Sequence, residues 1–276
     1  MASFDLIEMA TKGYDFTWKH RTYIARAAIP LIFLKIICEL SIGVLGLEKN
    51  ILRQELVMMP AYALEALFFC NLVRYALYRE PIIMPGLVPV LPTVLEPPPV
   101  PYQGRLSRRL CLKAGIAFYL LFKILLIVLS WGNIALSEGH SPGDMPNYEI
   151  TPLVSFAMLM LIWALLWVFL WLIRMSWAFV AATLGYSVKI YFKHVFKVRV
   201  ALSVVGLMLL CLVPFDVVFE FTRESMVNFF EGHRAIQIIM SSVISTLGET
   251  LLTAISTIAM TYAIHTLLTK QEKEKR

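Results

Sequence analysis

Apolar residues come in runs of about twenty, separated by shorter polar and basic segments. Six such runs lie near residues 25–47, 55–77, 113–136, 152–173, 198–220 and 236–268. A helix of about twenty predominantly apolar residues spans about 30 Å of hydrocarbon. The pattern predicts an all-α, polytopic membrane protein with six transmembrane helices. Ahead of the first run, Asp5, Glu8, Lys12, Asp15 and Lys19 recur every three or four residues. Leu6, Ile7, Met9, Ala10, Tyr14 and Trp18 fill much of the space between them. That period predicts an N-terminal amphipathic helix over residues 1–21, lying in the plane of the membrane interface. The chain reads as one six-span membrane domain, 1–276. The first twenty residues are too polar for the core of a secretory leader.

The segments between runs have distinct characters. Residues 78–112 form a Pro-rich loop. Its stretch "EPIIMPGLVPVLPTVLEPPPVPYQG" carries eight of the fourteen prolines, too many for a continuous helix. A semi-extended path across the mouth of the bundle or along the interface is expected. Residues 174–198 read as a basic loop that prolongs the fourth span, turns near Gly185 and re-enters the membrane through a basic amphipathic helix. "SEGHSPGDMPNYEITP" is a short acidic turn region, and residues 269–276 are a charged tail.

Composition agrees with this class. The chain is 59% hydrophobic and 16% charged, with a mean hydropathy of +0.72. Nineteen Lys and Arg fall at the ends and loops of one side of the membrane, and four fall on the other. Lys and Arg concentrate on the cytoplasmic side. Both termini are therefore expected in the cytoplasm, at a bacterial inner (plasma) membrane. The net charge of +6 and pI near 9.1 then reflect attraction to anionic lipid headgroups rather than to nucleic acid. Cys38, Cys70, Cys111 and Cys211 lie in or beside the spans with no CxxC spacing. They read as small apolar filler, not as disulfides or metal ligands.

Charge inside the spans changes the picture most. Lys35 and Glu39 fall in the first span, Glu65 in the second, Lys123 in the third and Glu249 in the sixth. Each is near the centre of its run, where insertion of a charge costs from about 2.5 kcal/mol upward. Lys35 and Glu39 are four residues apart, so one helical turn brings them together. The remaining charges need partners from other helices, and the economical arrangement is a shared polar centre between spans 1, 2, 3 and 6. The sixth span supports it. Eight of the seventeen residues in "SSVISTLGETLLTAIST" are Ser or Thr. Ser242, Thr246, Glu249, Thr253 and Ser256 fall on one narrow helical stripe. Small hydroxyls permit close approach and hydrogen bonding across helices. Spans 4 and 5 carry no central charge and are expected to face lipid. Trp163, Trp167 and Trp171 form an i, i+4, i+8 row on span 4, read as packing or lipid contact. Asp216 and Glu220 sit with Pro214 near the outer end of span 5 as an acidic rim solvated at the interface.

One resemblance is visible. Arg174 is followed by a small and apolar run to Ala182, then Gly185-Tyr186-Ser187 and a basic helix. With the amphipathic N-terminus leading into the first span, this resembles poorly characterised bacterial six-helix inner-membrane proteins. They are related to the membrane domain of some glycerophosphodiester phosphodiesterases. About thirty residues carry the likeness, and the proline expected in the small-residue run is missing. It implies an architecture and no catalytic residue.

Enzymatic signatures are absent from the sequence. There is no GxxxxGK[ST] loop, HExxH pair or GxSxG elbow. His20, His140, His194, His233 and His265 are too scattered to pair at matching depth. The expectation is a non-catalytic protein without cofactor, a structural, assembly or accessory subunit of a membrane complex, with a membrane-protein partner or a second copy. The alternative is a small transporter or permease component with its site among Lys35, Glu39, Glu65, Lys123 and Glu249, with Ser242, Thr246 and Thr253. A cavity around these groups favours transport, and a dry, fully paired core favours the subunit.

Overall fold

A computed structural model describes residues 4–47, 50–86, 97–99, 107–138, 152–195, 197–230 and 234–274. Among these the secondary structure is helical, with no strand. The helices are α1 (Leu6–Lys19), α2 (Arg21–Val44), α3 (Ile51–Tyr78), α4 (Arg108–Glu138), α5 (Pro152–Ser176), α6 (Ala178–Thr183), α7 (Val188–Val195), α8 (Val198–Phe229) and α9 (Arg234–Glu274). Six stretches are long and apolar enough to cross a membrane, the fourth running through α5 and α6. They overlap the six apolar runs, the fourth lying ten residues further along than expected, in the pattern of a multi-pass membrane protein. Most of the Pro-rich loop, the acidic region with His140, His233 and the end of the tail lie outside the described residues.

The 41-residue α9 is the axis of the bundle and packs against α8, α1, α2, α3 and α6. Its length is about 60 Å at 1.5 Å per residue, so it outreaches any single bilayer.

Helix α1 departs from the expected interfacial helix. Asp5 caps its start, accepting from the backbone N–H of Ile7 at 2.9 Å. Its buried face, which includes Met9, Ala10, Gly13 and Phe16, is pressed onto α9 and α8, so the amphipathic period separates bundle from surroundings. Gly13 is required where it sits. A Cβ there would fall 2.8 Å from the Ala259 Cβ and 3.1 Å from the Ile255 carbonyl oxygen. Tyr14 donates to the carbonyls of Leu210 at 2.8 Å and Cys211 at 3.0 Å. The sequence of α8 explains the first bond. Pro214 lies four residues after Leu210 and has no N–H, so the Leu210 carbonyl loses its helical donor. Tyr14 supplies the replacement. Burial pushes the Tyr14 phenol above its ordinary pKa, which keeps it a donor.

The segment after α5 prolongs the fourth span, as expected. Residues 174–198 do not form a loop throughout, because Ala178–Thr183 is a fully buried helix. Its alanines let it pack closely against α4 and α3. The turn falls where expected, at Gly185 with φ of +83°, a conformation that favours glycine. The basic helix α7 follows. Tyr191 donates to the Arg174 carbonyl at 2.8 Å, and burial again raises its phenol pKa.

The start of the Pro-rich segment packs across the end of the bundle. Arg79 ends α3 in the left-handed region with φ of +56°. Ile82 and Met84 are buried, and Ile82 N–H donates to the Tyr23 hydroxyl at 2.7 Å. On α5 the three tryptophans are exposed along one side. Trp167 also takes the Arg174 guanidinium 5.7 Å from its ring centre. Helix α8 is only partly the lipid-facing element expected. Val204, Leu207 and Cys211 are buried while Val217, Val218 and Phe221 are exposed.

Tyr14→Phe is expected to cost about 1–3 kcal/mol by orphaning the Leu210 carbonyl. Adding Pro214→Ala restores the helical donor and recovers most of that loss. Reversible unfolding in mixed micelles measures the cycle; strictly additive effects would contradict the pairing.

Candidate functional site

The buried face of α2 runs through Ala28, Leu31, Lys35 and Cys38, spaced by three and four residues. That of α3 runs through Ala61, Glu65, Phe68 and Leu72. The two faces meet α9, and each brings one charge to the meeting point. Lys35 Nζ lies 3.2 Å from Glu65 Oε2 and 3.1 Å from Glu249 Oε2. Lys35 is 1% exposed and Glu65 2%, whereas the Glu249 side chain is 48% exposed. The ammonium is therefore sealed, and one of its two carboxylates opens outward.

Glu65 is the most heavily partnered carboxylate. Its Oε1 accepts from the Tyr119 hydroxyl at 2.6 Å, and Lys123 Nζ stands 3.9 Å away. Tyr119 and Lys123 are one turn apart on α4. Lys123 also sits 4.6 Å above the Tyr62 ring, a favourable cation–π placement. Tyr62 in turn donates to Glu55 at 2.7 Å.

All five charges predicted for the centre are thus within α2, α3, α4 and α9. The pairing differs from the sequence reading in one respect. Lys35 does not take Glu39, its neighbour one turn on, but Glu65 and Glu249 from other helices. Two carboxylates on facing helices, one buried and one half-exposed, outweigh one on the same helix. Glu39 is satisfied by the hydroxyl stripe, accepting from Thr246 Oγ1 at 3.1 Å and also from Ser242. Thr253, on the same stripe, is half-buried.

Two cavities meet at Glu249. One, of about 310 Å³, lies between α8 and α9 and is lined by Asp216, Glu220, Arg223, Ser245, Glu249 and Thr253. The other, of about 270 Å³, reaches Glu65, Tyr119 and Lys123 from the α4–α8 side, with Glu249, Thr253 and Thr257. Glu249, Thr253 and Leu212 border both. Thr257 is fully buried and its hydroxyl has no hydrogen-bond partner among the described residues. A hydroxyl left so at the wall of a cavity is normally met by water or ligand. Asp216 and Glu220, read from sequence as an interfacial rim, here line the approach to Glu249. Arg223 pairs with Glu220 at 2.6 Å.

Sequence reasoning missed Tyr119 and Tyr62, and placed Thr257 only as a flank of the hydroxyl stripe. Only Tyr119 carried a legible signal, its one-turn spacing from Lys123. It also missed a second ion cluster at the far end of α3. Arg74, fully buried, donates to Glu80 at 2.8 Å and to the Thr183 carbonyl at 2.9 Å, and Arg108 pairs with Glu80 at 2.9 Å. This cluster ties α3, α4 and α6 together and borders no cavity described above. Among the described residues no group of His, Cys, Asp or Glu is arranged to hold a metal ion.

No protein-family model, curated protein sequence or solved structure matches the chain.

Cysteines introduced at Ser245 and Thr253, in a background lacking the four native ones, are expected to react readily with a water-soluble thiol reagent. Cys70 of the unmodified chain, whose four cysteines are all buried, sets the unreactive reference in a parallel measurement. Labelling of both new sites as slow as that of Cys70 would show that water does not reach Glu249.

Proposed function

We propose that this chain is a non-catalytic, multi-pass protein of the bacterial inner membrane that binds or passes a small cation at Glu249. Both termini face the cytoplasm in this reading, as the Lys and Arg distribution favours. The carrying observation is the two-sided environment of Glu249: one oxygen on sealed Lys35, the rest of the side chain opening on two cavities.

The sign of the ligand follows from charge. Three carboxylates of the centre, Glu39, Glu65 and Glu249, face two ammonium groups, Lys35 and Lys123. Asp216 and Glu220 add two more carboxylates against Arg223 on the approach. The open side of the site is thus short of positive charge in a region where uncompensated charge is costly. A cation entering there, a proton included, restores the balance. The likeness to phosphodiesterase-linked six-helix proteins adds an architecture and no reaction.

A second reading, an accessory or assembly subunit, draws support from α5. Its exposed row from Phe156 to Trp171 is a surface for a partner helix or a second copy as well as for lipid. Mild-detergent purification that recovers a stoichiometric partner would favour it.

In proteoliposomes, the chain is expected to move at least one of protons, Na⁺ or ethidium above protein-free vesicles. Glu249→Gln is expected to lower that flux at least tenfold, while Thr183→Ser, remote from the centre, leaves it unchanged. Lys35 keeps Glu65 in the Gln variant, so the fold is retained. Flux absent for all three probes, or equal in the Gln variant, contradicts the proposal.

A further inference from the structure

The outer side of α2, away from the ion centre, carries a second site. Two apolar grooves run along it. One, of about 360 Å³, starts at Thr17 and Arg21 and continues between α2 and α9 past Ile24, Ala28, Leu251 and Ala254. The other, of about 440 Å³, starts at Ala25 and Arg26 and follows Ile29, Phe33 and Ile36. They share Ala25, Ile32 and Leu247. Two grooves therefore diverge from one region, and each has an arginine at the same end.

Those arginines are placed for an anion. Arg21 stacks 4.5 Å from the Trp18 ring centre and donates one Nη to the Trp18 carbonyl at 2.9 Å. This fixes the guanidinium at the α1–α2 elbow while leaving other N–H groups outward. Arg26 is exposed one and a half turns further on. Among the described residues neither is ion-paired with a carboxylate within 4.0 Å. Trp18 is exposed beside them, the amphipathic residue type that membrane interfaces favour.

Depth agrees. Lys35 belongs at mid-membrane. Arg26 and Arg21 lie nine and fourteen residues before it, about 14 and 21 Å along the helix. Half of a hydrocarbon core is about 15 Å. The two guanidiniums thus stand at the headgroup level, and Ile36 at the far end of the grooves stands near the midplane.

We propose that the α1–α2 elbow is a binding site for one anionic diacyl phospholipid, its phosphate between Arg21 and Arg26 and its two acyl chains in the two grooves. The bilayer leaflet supplies such a ligand laterally, and both grooves open along the side of α2. A free phosphate would gain only the arginines; the grooves select a lipid. Occupancy would also brace α1, whose other face packs on α8 and α9. The site is independent of the cation reading, and Phe219 is the one residue that lines both a groove here and a cavity at Glu249.

The test is native mass spectrometry of the delipidated full chain titrated with phosphatidylglycerol and, separately, phosphatidylcholine of the same chains. One phosphatidylglycerol is expected to bind, roughly thirtyfold more tightly than phosphatidylcholine, since two basic residues contribute about fivefold each. Arg21→Gln/Arg26→Gln should bring the ratio to within about threefold. Ala25→Trp, at an exposed position where both grooves meet, should weaken both lipids. Inorganic phosphate at millimolar concentration should not displace the lipid. If the double variant misfolds, Arg26→Gln alone, which removes no internal bond, decides through a ratio cut about fivefold. Equal affinity for the two lipids, an unchanged ratio in the arginine variants, or displacement by phosphate alone would overturn the site.

Discussion

Lys35 is the constraint on which the bundle depends. An ammonium at that depth has no water, so it must be met by carboxylates from other helices or carry a heavy cost. Glu65 and Glu249 meet it at 3.2 and 3.1 Å. These two contacts fix the register of α2 against α3 and of both against α9, because a slip of one turn moves each charge about 5 Å along its helix. Tyr119 and Lys123 then draw α4 to the same point through Glu65. Non-directional apolar packing alone would not choose between such registers.

The same requirement, that no polar group be left alone away from water, organises the rest. Tyr14 answers the carbonyl that Pro214 orphans, and so holds α1 on α8. Arg74, Glu80 and Arg108 close the far end of α3 over α6. At Thr257, which has no hydrogen-bond partner among the described residues, a cavity adjoins. A sealed ammonium beside an accessible carboxylate lets one cluster hold the helices together and still present an acceptor to a ligand.

Much of this was legible in the sequence. Runs of twenty apolar residues give the spans, because hydrocarbon thickness sets helix length and backbone bonds must close within each helix. The charges at Lys35, Glu65, Lys123 and Glu249, and the hydroxyls of α9, were readable as a shared centre for the same energetic reason. The partner of Lys35 was not. Spacing shows that Lys35 and Glu39 are neighbours on α2, but only the placement of α3 and α9 shows that two other carboxylates lie closer. The prolongation of the fourth span through Ala178–Thr183 was legible from its small apolar residues, but its complete burial was not. The cavities were hidden because empty space between helices depends on tilt and on rings such as Phe219, packed near Gly248. Helix α1 was legible as amphipathic, but a helix period does not say whether lipid or protein covers the apolar face.

The most direct measurement is the stability of Lys35→Met compared with Lys35→Met/Glu249→Gln, by reversible unfolding in mixed micelles. If charge pairing fixes the bundle, the single variant leaves two carboxylates facing each other and loses about 3–5 kcal/mol. The double variant leaves Glu65 with Lys123 and Tyr119 and regains more than half of that loss. A double variant as unstable as the single one, or more so, would show that Lys35 acts through packing and contradict the account.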